Sequence, residues 1–276
     1  GQMQPLFDSQ RGWGVFAAVQ QGLTAMLAGD FVEANVRFTQ ARMHAIVPTL
    51  SFLSRDASVK AAVLHALYGD RETARALLDE ADLVPRTESW AETVIDASHE
   101  IAAALVRSEN HAEALRRLRS VPLRALGEMW PFYVLAFRRA LVAAGHQNEA
   151  QRQIVLFERL PLARVDGQGY AGSALRIGAA QNELLAGNLA EARRVLEGAD
   201  GSIAVTKLLK AVIELSSGHP REALQALAGV RDETRDFRRL ELWRLAAVAG
   251  CHFALGERED CRHVLEAALG FPGGLS

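Results

Sequence analysis

Two cysteines and two histidines near the end of the chain could form a metal site. Cys251 is followed directly by His252, and Cys261 lies two residues before His263. Two Cys and two His are a common ligand set for tetrahedral zinc. However, adjacent residues on a helix point about 100° apart, so Cys251 and His252 cannot easily share one metal. We therefore interpret both cysteines as packing residues and expect no metal site.

A glycine-rich stretch at residues 167–172, GQGYAG, matches the GxGxxG pattern of dinucleotide-binding proteins. Such a site requires a buried strand before the glycines and an acidic residue on a second strand about twenty residues later. The preceding segment, LPLARVD at residues 160–166, contains a proline and follows a helical stretch. We interpret the motif as a loop between helical units and expect no cofactor.

Other patterns that could support catalysis are missing from the sequence. No HExxH motif, Ser/His/Asp arrangement or paired carboxylate motif stands out. We therefore predict no catalytic residue and a protein that is not an enzyme. We keep a small helical enzyme as an alternative hypothesis, from a different functional class than the binding functions considered below.

The charges of the chain argue against a protein that coats nucleic acid. The formal net charge is −2, whereas such proteins are clearly basic. Arginine pairs recur beside acidic residues, and these pairs are Arg116-Arg117, Arg138-Arg139, Arg193-Arg194 and Arg238-Arg239. We interpret them as solvated helix faces with local ion pairs. We therefore expect no direct nucleic-acid contact by this chain.

Helix-breaking residues recur along most of the sequence. Six glycines each follow an apolar helical stretch, and Glu109 takes the same place in a seventh copy; the glycines are Gly29, Gly69, Gly145, Gly187, Gly218 and Gly256. Five residues after each breaker comes a small residue: Ala34, Ala74, Ala114, Ala150, Ala192, Ala223 and Cys261. A large apolar residue follows at the ninth position of every copy. The mean step is about 38 residues, a period typical of helical repeats.

This spacing has a physical cause. Glycine ends a helix in the left-handed conformation, and a small residue lets the next helix approach closely. Each resulting hairpin is too small to bury its own apolar face, so stacking neighbours completes the core. The series resembles the small–large–small pattern of the tetratricopeptide repeat, which implies a right-handed α-solenoid. We predict an all-α fold of about seven such hairpins, with residues 12–276 as one domain and residues 1–11 as an N-terminal tail.

Three stretches show a narrower resemblance, to the helical-repeat region of large LuxR-family, MalT-like transcription regulators. They are residues 61–81 (AAVLHALYGDRETARALLDEA), 128–145 (EMWPFYVLAFRRALVAAG) and 184–199 (LLAGNLAEARRVLEGA). In that family a nucleotide-binding module precedes the repeats, and a C-terminal helix-turn-helix binds DNA. The GxxxxGK[ST] loop of the nucleotide module is absent from this sequence. The resemblance implies the sensor or interaction region of such a regulator, with DNA contacted only through a helix-turn-helix outside this chain.

The tetratricopeptide resemblance also assigns residues to an inner, concave face. The corresponding positions hold Asp96, His99, Arg107, Phe132, Arg139, Gln181 and Trp243, and the aromatic residues Trp90, Trp130 and Tyr133 extend this set. Aromatic side chains with a few convergent polar groups are typical of ligand and peptide pockets. Alternatively, Trp130 and Trp243 fill gaps between hairpins.

We therefore expect a sensor region that holds a small-molecule effector, or a protein or peptide, in its concave groove. The alternative is a free-standing tetratricopeptide adaptor for a peptide or protein. The start of the chain shows no signal-peptide pattern, and no uncharged apolar run reaches about 18 residues. We expect a cytoplasmic protein without membrane contact, and a homodimer is a further expectation.

Overall fold

The structure, a computed structural model, describes residues 11–44, 51–88, 90–107, 109–160 and 168–270. These residues form fifteen α-helices and two 3-10 helices, and no strand occurs within these ranges. The prediction of an all-α protein is therefore confirmed. Residues 1–10 of the predicted tail and Gly167 of the glycine-rich motif lie outside the described residues, whereas Arg11 already belongs to the first helix.

The helices follow one another with short connections. The first eight are α1 (Arg11–Ala28), α2 (Phe31–His44), α3 (Ser51–Leu67), α4 (Arg71–Leu83), α5 (Glu92–Val106), α6 (His111–Ser120), α7 (Trp130–Ala143) and α8 (Gln147–Glu158). The other seven are α9 (Gly169–Leu185), α10 (Leu189–Leu196), α11 (Ala204–Ser216), α12 (Pro220–Ala228), α13 (Arg231–Thr234), α14 (Arg238–Leu255) and α15 (Arg258–Leu269). The 3-10 helices Leu123–Ala125 and Gly127–Met129 lie between α6 and α7.

Local sequence signals start several of these helices. Asp70 accepts a hydrogen bond from the Thr73 amide at 2.7 Å and so caps the N-terminus of α4. Asn110 caps α6 in the same way, through the Glu113 amide at 3.1 Å. Pro131 lies in the first turn of α7, where its missing N–H sacrifices no hydrogen bond.

Most of the glycines predicted to reverse the chain are left-handed. Five of the six have φ between 79° and 93°, and they are Gly29, Gly145, Gly187, Gly218 and Gly256. The prediction is wrong at Gly69, whose φ is not positive. Its amide donates to the His65 carbonyl at 2.9 Å, which continues the helical hydrogen-bond pattern beyond Leu67.

The glycine-rich motif is also placed differently from the prediction. Residues 169–172 form the first turn of α9 and not a loop. The amide of Gly169 donates to Asp200 Oδ2 at 2.9 Å, which satisfies one of the free amides at this helix start. Tyr170 is completely buried. These residues therefore serve packing.

The small residues five positions after each breaker lie in the interior, with one exception. The six alanines of the series are at most 1% exposed, and they are Ala34, Ala74, Ala114, Ala150, Ala192 and Ala223. Cys261, in the seventh copy, is half-buried. Because an alanine side chain is so short, it allows the backbones of two helices to approach closely at these points.

Helices that are close in sequence pack together in a regular order. The pairs in contact are α1 with α2, α3 with α4, α5 with α6, α7 with α8, α9 with α10, α11 with α12, and α14 with α15. Both helices of each of the first six pairs also contact the first helix of the next pair. None of the described helices combines the length and apolarity needed to cross a bilayer.

Several contacts join pairs that are distant in sequence, and two of them show the path of the chain. Helix α1 of the first pair packs against α9 of the fifth pair. The Leu240 amide, in the first turn of α14, donates to the carbonyl of Tyr68 just beyond α3, at 3.1 Å. The chain therefore bends back on itself, and the second and seventh pairs meet.

Five aromatic residues fill the centre of this arrangement, and we call them the central aromatic cluster: Phe31, Tyr68, Phe132, Tyr170 and Phe237. Phe31 stacks on Tyr68 and Phe132 stacks on Tyr170, each with ring centroids 4.8 Å apart. The hydroxyls of Tyr68 and Tyr170 are hydrogen-bonded to each other. Burial raises the pKa of both tyrosines, so both keep their protons at neutral pH. The cluster draws on five of the seven pairs.

The close approach at Ala192 gives a stability prediction. Ala192→Leu adds bulk to a fully buried position of α10 and should lower the free energy of unfolding by about 1–3 kcal/mol. Ala190→Leu, on the exposed side of the same helix, is the matched control and should be near neutral. Thermal melts of the two variants check this, and equal melting temperatures would show that the helix register is wrong.

The central aromatic cluster gives a second prediction. Phe237 is completely buried and its ring lies 6.1 Å from that of Phe31. Phe237→Ala should therefore cost about 3–5 kcal/mol of unfolding free energy. The control Phe253→Ala removes a ring that is 75% exposed, and it should change stability by about 0.5 kcal/mol or less. Urea unfolding measures both, and a Phe237→Ala protein as stable as its control contradicts the packing described.

Candidate functional site

A cavity of about 520 Å³ lies where the C-terminal end of α3 meets helices α7, α9, α10, α11 and α14. We call it the arginine cavity, because Arg138, Arg139 and Arg239 line it. Its remaining lining includes eight aliphatic side chains, Gln181 and Trp243, but no Asp or Glu. Its volume falls within the range of small-molecule sites.

Two of the three arginines are held at the end of α3. Arg139 Nη1, from α7, donates to the carbonyls of Ala66 and Leu67 at 3.3 and 3.4 Å. Arg239 Nη1, from α14, donates to the same two carbonyls at 3.1 and 3.3 Å. The last carbonyls of a helix lack intrahelical partners and carry partial negative charge, so they attract these cations.

The third arginine approaches the cavity from a more buried position. Arg138 is only 7% exposed, and its Nε donates to Asn182 Oδ1 at 2.7 Å. Burial lowers the pKa of Arg138 to about 10, so the side chain is still cationic at neutral pH. Burial, together with the charge of Arg71, also lowers the pKa of Arg239 to about 10.

The lining of this cavity contains no acidic residue, although Arg139 also borders a neighbouring cavity whose lining includes Glu109. Within the described residues, no carboxylate lies within ion-pair distance of Arg138, Arg139 or Arg239, whereas many other arginines there form ion pairs. The acceptors that these three guanidinium groups bind within the protein are neutral oxygens. Such an arrangement favours binding of an anion.

The structure brings three of the ten predicted site residues together. Arg139, Gln181 and Trp243 come from α7, α9 and α14 and line the arginine cavity. Trp243 is half-buried, so part of its ring is accessible. The prediction that these residues bind a ligand stays a prediction, and the structure shows that the three share one cavity.

Three further predicted residues are buried and do not line the cavity. Trp130 and Tyr133 lie in the core, and the Tyr133 hydroxyl donates to the Leu118 carbonyl at 3.0 Å. Phe132 belongs to the central aromatic cluster. For Trp130 this placement agrees with the alternative interpretation that it fills a gap between hairpins.

The other four predicted residues lie around α5, apart from the cavity. Asp96 accepts hydrogen bonds from Arg55, at 3.1 Å, and from Arg86. His99 Nε2 lies 3.1 Å from a carboxylate oxygen of Asp82. Arg107 is exposed at the end of α5, and Trp90 is 84% exposed before its start. None of these four lines the arginine cavity.

Sequence reasoning missed Arg138 and Arg239 as lining residues. The interpretation of arginine pairs as solvated faces with local ion pairs holds for Arg116, which lies 2.7 Å from Glu113. It is wrong for Arg138, which is buried, and for Arg239, which binds carbonyls. One signal was available, because the segment from residue 130 to 145 contains two arginines and no acidic residue.

A second cavity, of about 610 Å³, lies among α13, α14 and α15. Two of its three arginines lie beside acidic residues that also line it: Arg244 Nη2 lies 2.5 Å from Glu241 Oε1, and Arg235 Nη1 lies 3.7 Å from Asp232 Oδ1. Because these two acids offset much of the positive charge, this cavity favours an anion less than the arginine cavity does. The arginine cavity is the stronger candidate.

The two cysteines do not take part in the cluster of potential metal ligands that the described residues contain. Both are free thiols, and burial raises the pKa of Cys251. The cluster consists of His252, Glu257 and Asp260, whose ligand atoms lie within 4.8 Å of one another. His252 Nδ1 lies 2.6 Å from Glu257 Oε2, so a hydrogen bond at the turn accounts for this contact.

Comparison with known proteins gives no family assignment. No protein-family model matches this chain, and no curated protein matches it.

Proposed function

We propose that this chain is a non-catalytic sensor region built as a right-handed α-solenoid of seven tetratricopeptide-like hairpins. Three observations support the repeat architecture: the regular packing of consecutive helix pairs, the buried alanines and the left-handed turn glycines. Packing of each unit mainly on its neighbours is the rule in solenoid proteins. The distant contacts make this solenoid more closed than a simple stack.

The arginine cavity is the proposed ligand site, and its uncompensated charge is the observation that carries the proposal. Residues from the second, fourth, fifth, sixth and seventh pairs line it. A ligand in this cavity therefore contacts five of the seven pairs. It stabilises whichever curvature of the solenoid offers the best contacts, and it shifts the population toward that form.

The regulatory setting is that of a LuxR-family, MalT-like transcription regulator, as the sequence resemblance implies. The helical region acts in the cytoplasm and makes no nucleic-acid contact of its own. Its change of curvature is transmitted to attached nucleotide-binding and helix-turn-helix modules, and the regulator acts as a homodimer. The complete reading frame tests this setting directly, because it must encode both modules on either side of this region.

The alternative function is a free-standing adaptor that holds a peptide or protein in an open groove. The central aromatic cluster weighs against this alternative, because its five aromatic side chains are buried against one another and offer no open surface to a peptide. The contact between α1 and α9 narrows the interior further. A compact effector therefore suits the shape better than an extended peptide.

A thermal-shift screen with small metabolites tests the sensor function. A ligand present at one hundred times its Kd should stabilise the wild-type protein by about 2.7 kcal/mol. Trp243→Ala should abolish this stabilisation, because Trp243 lines the cavity. Trp90→Ala, which removes an exposed tryptophan away from the cavity, should retain it. A ligand that stabilises Trp243→Ala as strongly as wild type, or a screen without any stabilising compound, contradicts the proposal.

A further inference from the structure

The arginine cavity contains more hydrogen-bond donors than the protein itself uses. Each guanidinium carries five N–H donors. Arg138 uses its Nε for Asn182, and Arg139 and Arg239 use only Nη1 for the end of α3. All three arginines line the arginine cavity, whose lining contains no carboxylate, and Arg139 also borders a neighbouring cavity that Glu109 lines. A ligand can therefore bind these donors without breaking an ion pair within the protein.

Much of the remaining lining is apolar. Leu184 and Leu189 contribute from α9 and α10, Leu209 and Val212 contribute from α11, and Trp243 adds an aromatic surface. All five side chains are close to the interior, and Leu209 is almost completely buried. A ligand that extends from the arginines along this wall gains free energy by burying its own apolar surface.

We propose that the arginine cavity binds a small organic anion with an apolar body. Its carboxylate or phosphate contacts Arg138, Arg139 and Arg239, and its apolar part lies against the leucines and Trp243. This assignment of a ligand class rests on the sensor function proposed above. A carboxylate and a phosphate make the same bidentate hydrogen bonds with guanidinium groups, so the shared chemistry is an oxyanion.

The geometry favours a small molecule over an acidic peptide. The hydrogen bond from the Leu240 amide to the Tyr68 carbonyl joins α14 to the end of α3 beside the cavity. Arg239, the residue before Leu240, is fixed to the same end. An extended peptide would have to break these contacts in order to pass, whereas a compact ligand of the cavity's size leaves them intact.

Capping of α3 does not account for all three arginines. It explains Arg139 and Arg239, whose Nη1 atoms reach the last carbonyls. It does not explain Arg138, which is nine-tenths buried, has an amide oxygen as its bound acceptor and has no acid within ion-pair distance among the described residues. Burying a cation is costly unless a partner compensates it, and an anionic ligand provides that partner.

Calorimetric titration with four eight-carbon probes tests the ligand class on the wild-type protein. The probes are octanoate, octyl phosphate, the neutral 1-octanol and the cationic octylammonium. We expect at least one of the two anions to bind tenfold or more tightly than 1-octanol, and octylammonium to bind more weakly still. Titration with inorganic phosphate alone should give weaker binding than octyl phosphate, because the apolar contact is missing.

Charge variants locate the binding site. Arg139→Gln and Arg239→Gln should each weaken binding of the anion about tenfold, whereas Arg139→Lys, which keeps the charge, should weaken it less. Arg116→Gln is the matched control, because Arg116 is exposed, is paired with Glu113 and does not line the cavity. Melting curves identify any variant that fails to fold. The titrations of the wild-type protein test the ligand class even if a variant has to be discarded.

The outcomes separate the ligand class from the sensor function. Equal affinity for octanoate, octyl phosphate and 1-octanol overturns the anion assignment and leaves a neutral ligand in the cavity. Absence of binding by all four probes, or unchanged binding in both folded glutamine variants, also overturns the assignment. In each of these cases the metabolite screen with Trp243→Ala still decides whether the cavity is a sensor site.

Discussion

The C-terminal end of α3 is the constraint on which the shape of this protein depends. The last carbonyls of a helix have no partners within that helix, and in an interior they must find donors elsewhere. Here Arg139 and Arg239 supply donors to Ala66 and Leu67, and the Leu240 amide supplies one to Tyr68. Donors from the fourth and seventh helix pairs are thus fixed at one end of the second pair.

This convergence brings the rest of the interior together. Once α14 is joined to α3, Phe237 reaches Phe31, and the aromatic rings of five pairs close the centre. The arginine cavity is one part of the described interior that remains open, and α10 and α11 form part of its lining. The same interaction that closes the fold therefore also concentrates positive charge at the proposed site.

Much of the fold can be predicted from local sequence. The closure, by which we mean the joining of α14 to the end of α3, cannot. The glycines and alanines recur at fixed spacing, so a helix break at Gly187 and a close contact at Ala192 follow from nearby residues alone. Gly69 departs from the pattern: after each of the five left-handed glycines the next amide donates five residues back, as Asn188 does to Glu183, whereas the helical hydrogen bonds at the end of α3 stop at the one from Gly69 to His65. Tyr68, Tyr170 and Phe237 lie at helix ends and follow no helical period, so nothing in their spacing indicates that they meet.

The residues of the arginine cavity also divide into those that were predicted from the sequence and those that were not. The repeat resemblance predicted Arg139, Gln181 and Trp243 as site residues, and all three line the arginine cavity. It also selected Phe132, which the closure buries. Arg138 and Arg239 were missed because their bound acceptors come from other helix pairs, and only for Arg138 did the local sequence hold a signal, the absence of acidic residues from 130 to 145.

Hydrogen exchange of the Leu240 amide tests the closure most directly. Leu240 lies in the first turn of α14, where amides have no acceptor within the helix, so its protection depends on the Tyr68 carbonyl. The structure predicts exchange as slow as that of amides in the middle of α14. Exchange at the rate of an unprotected amide, while the middle of α14 stays protected, would show that the two ends do not meet.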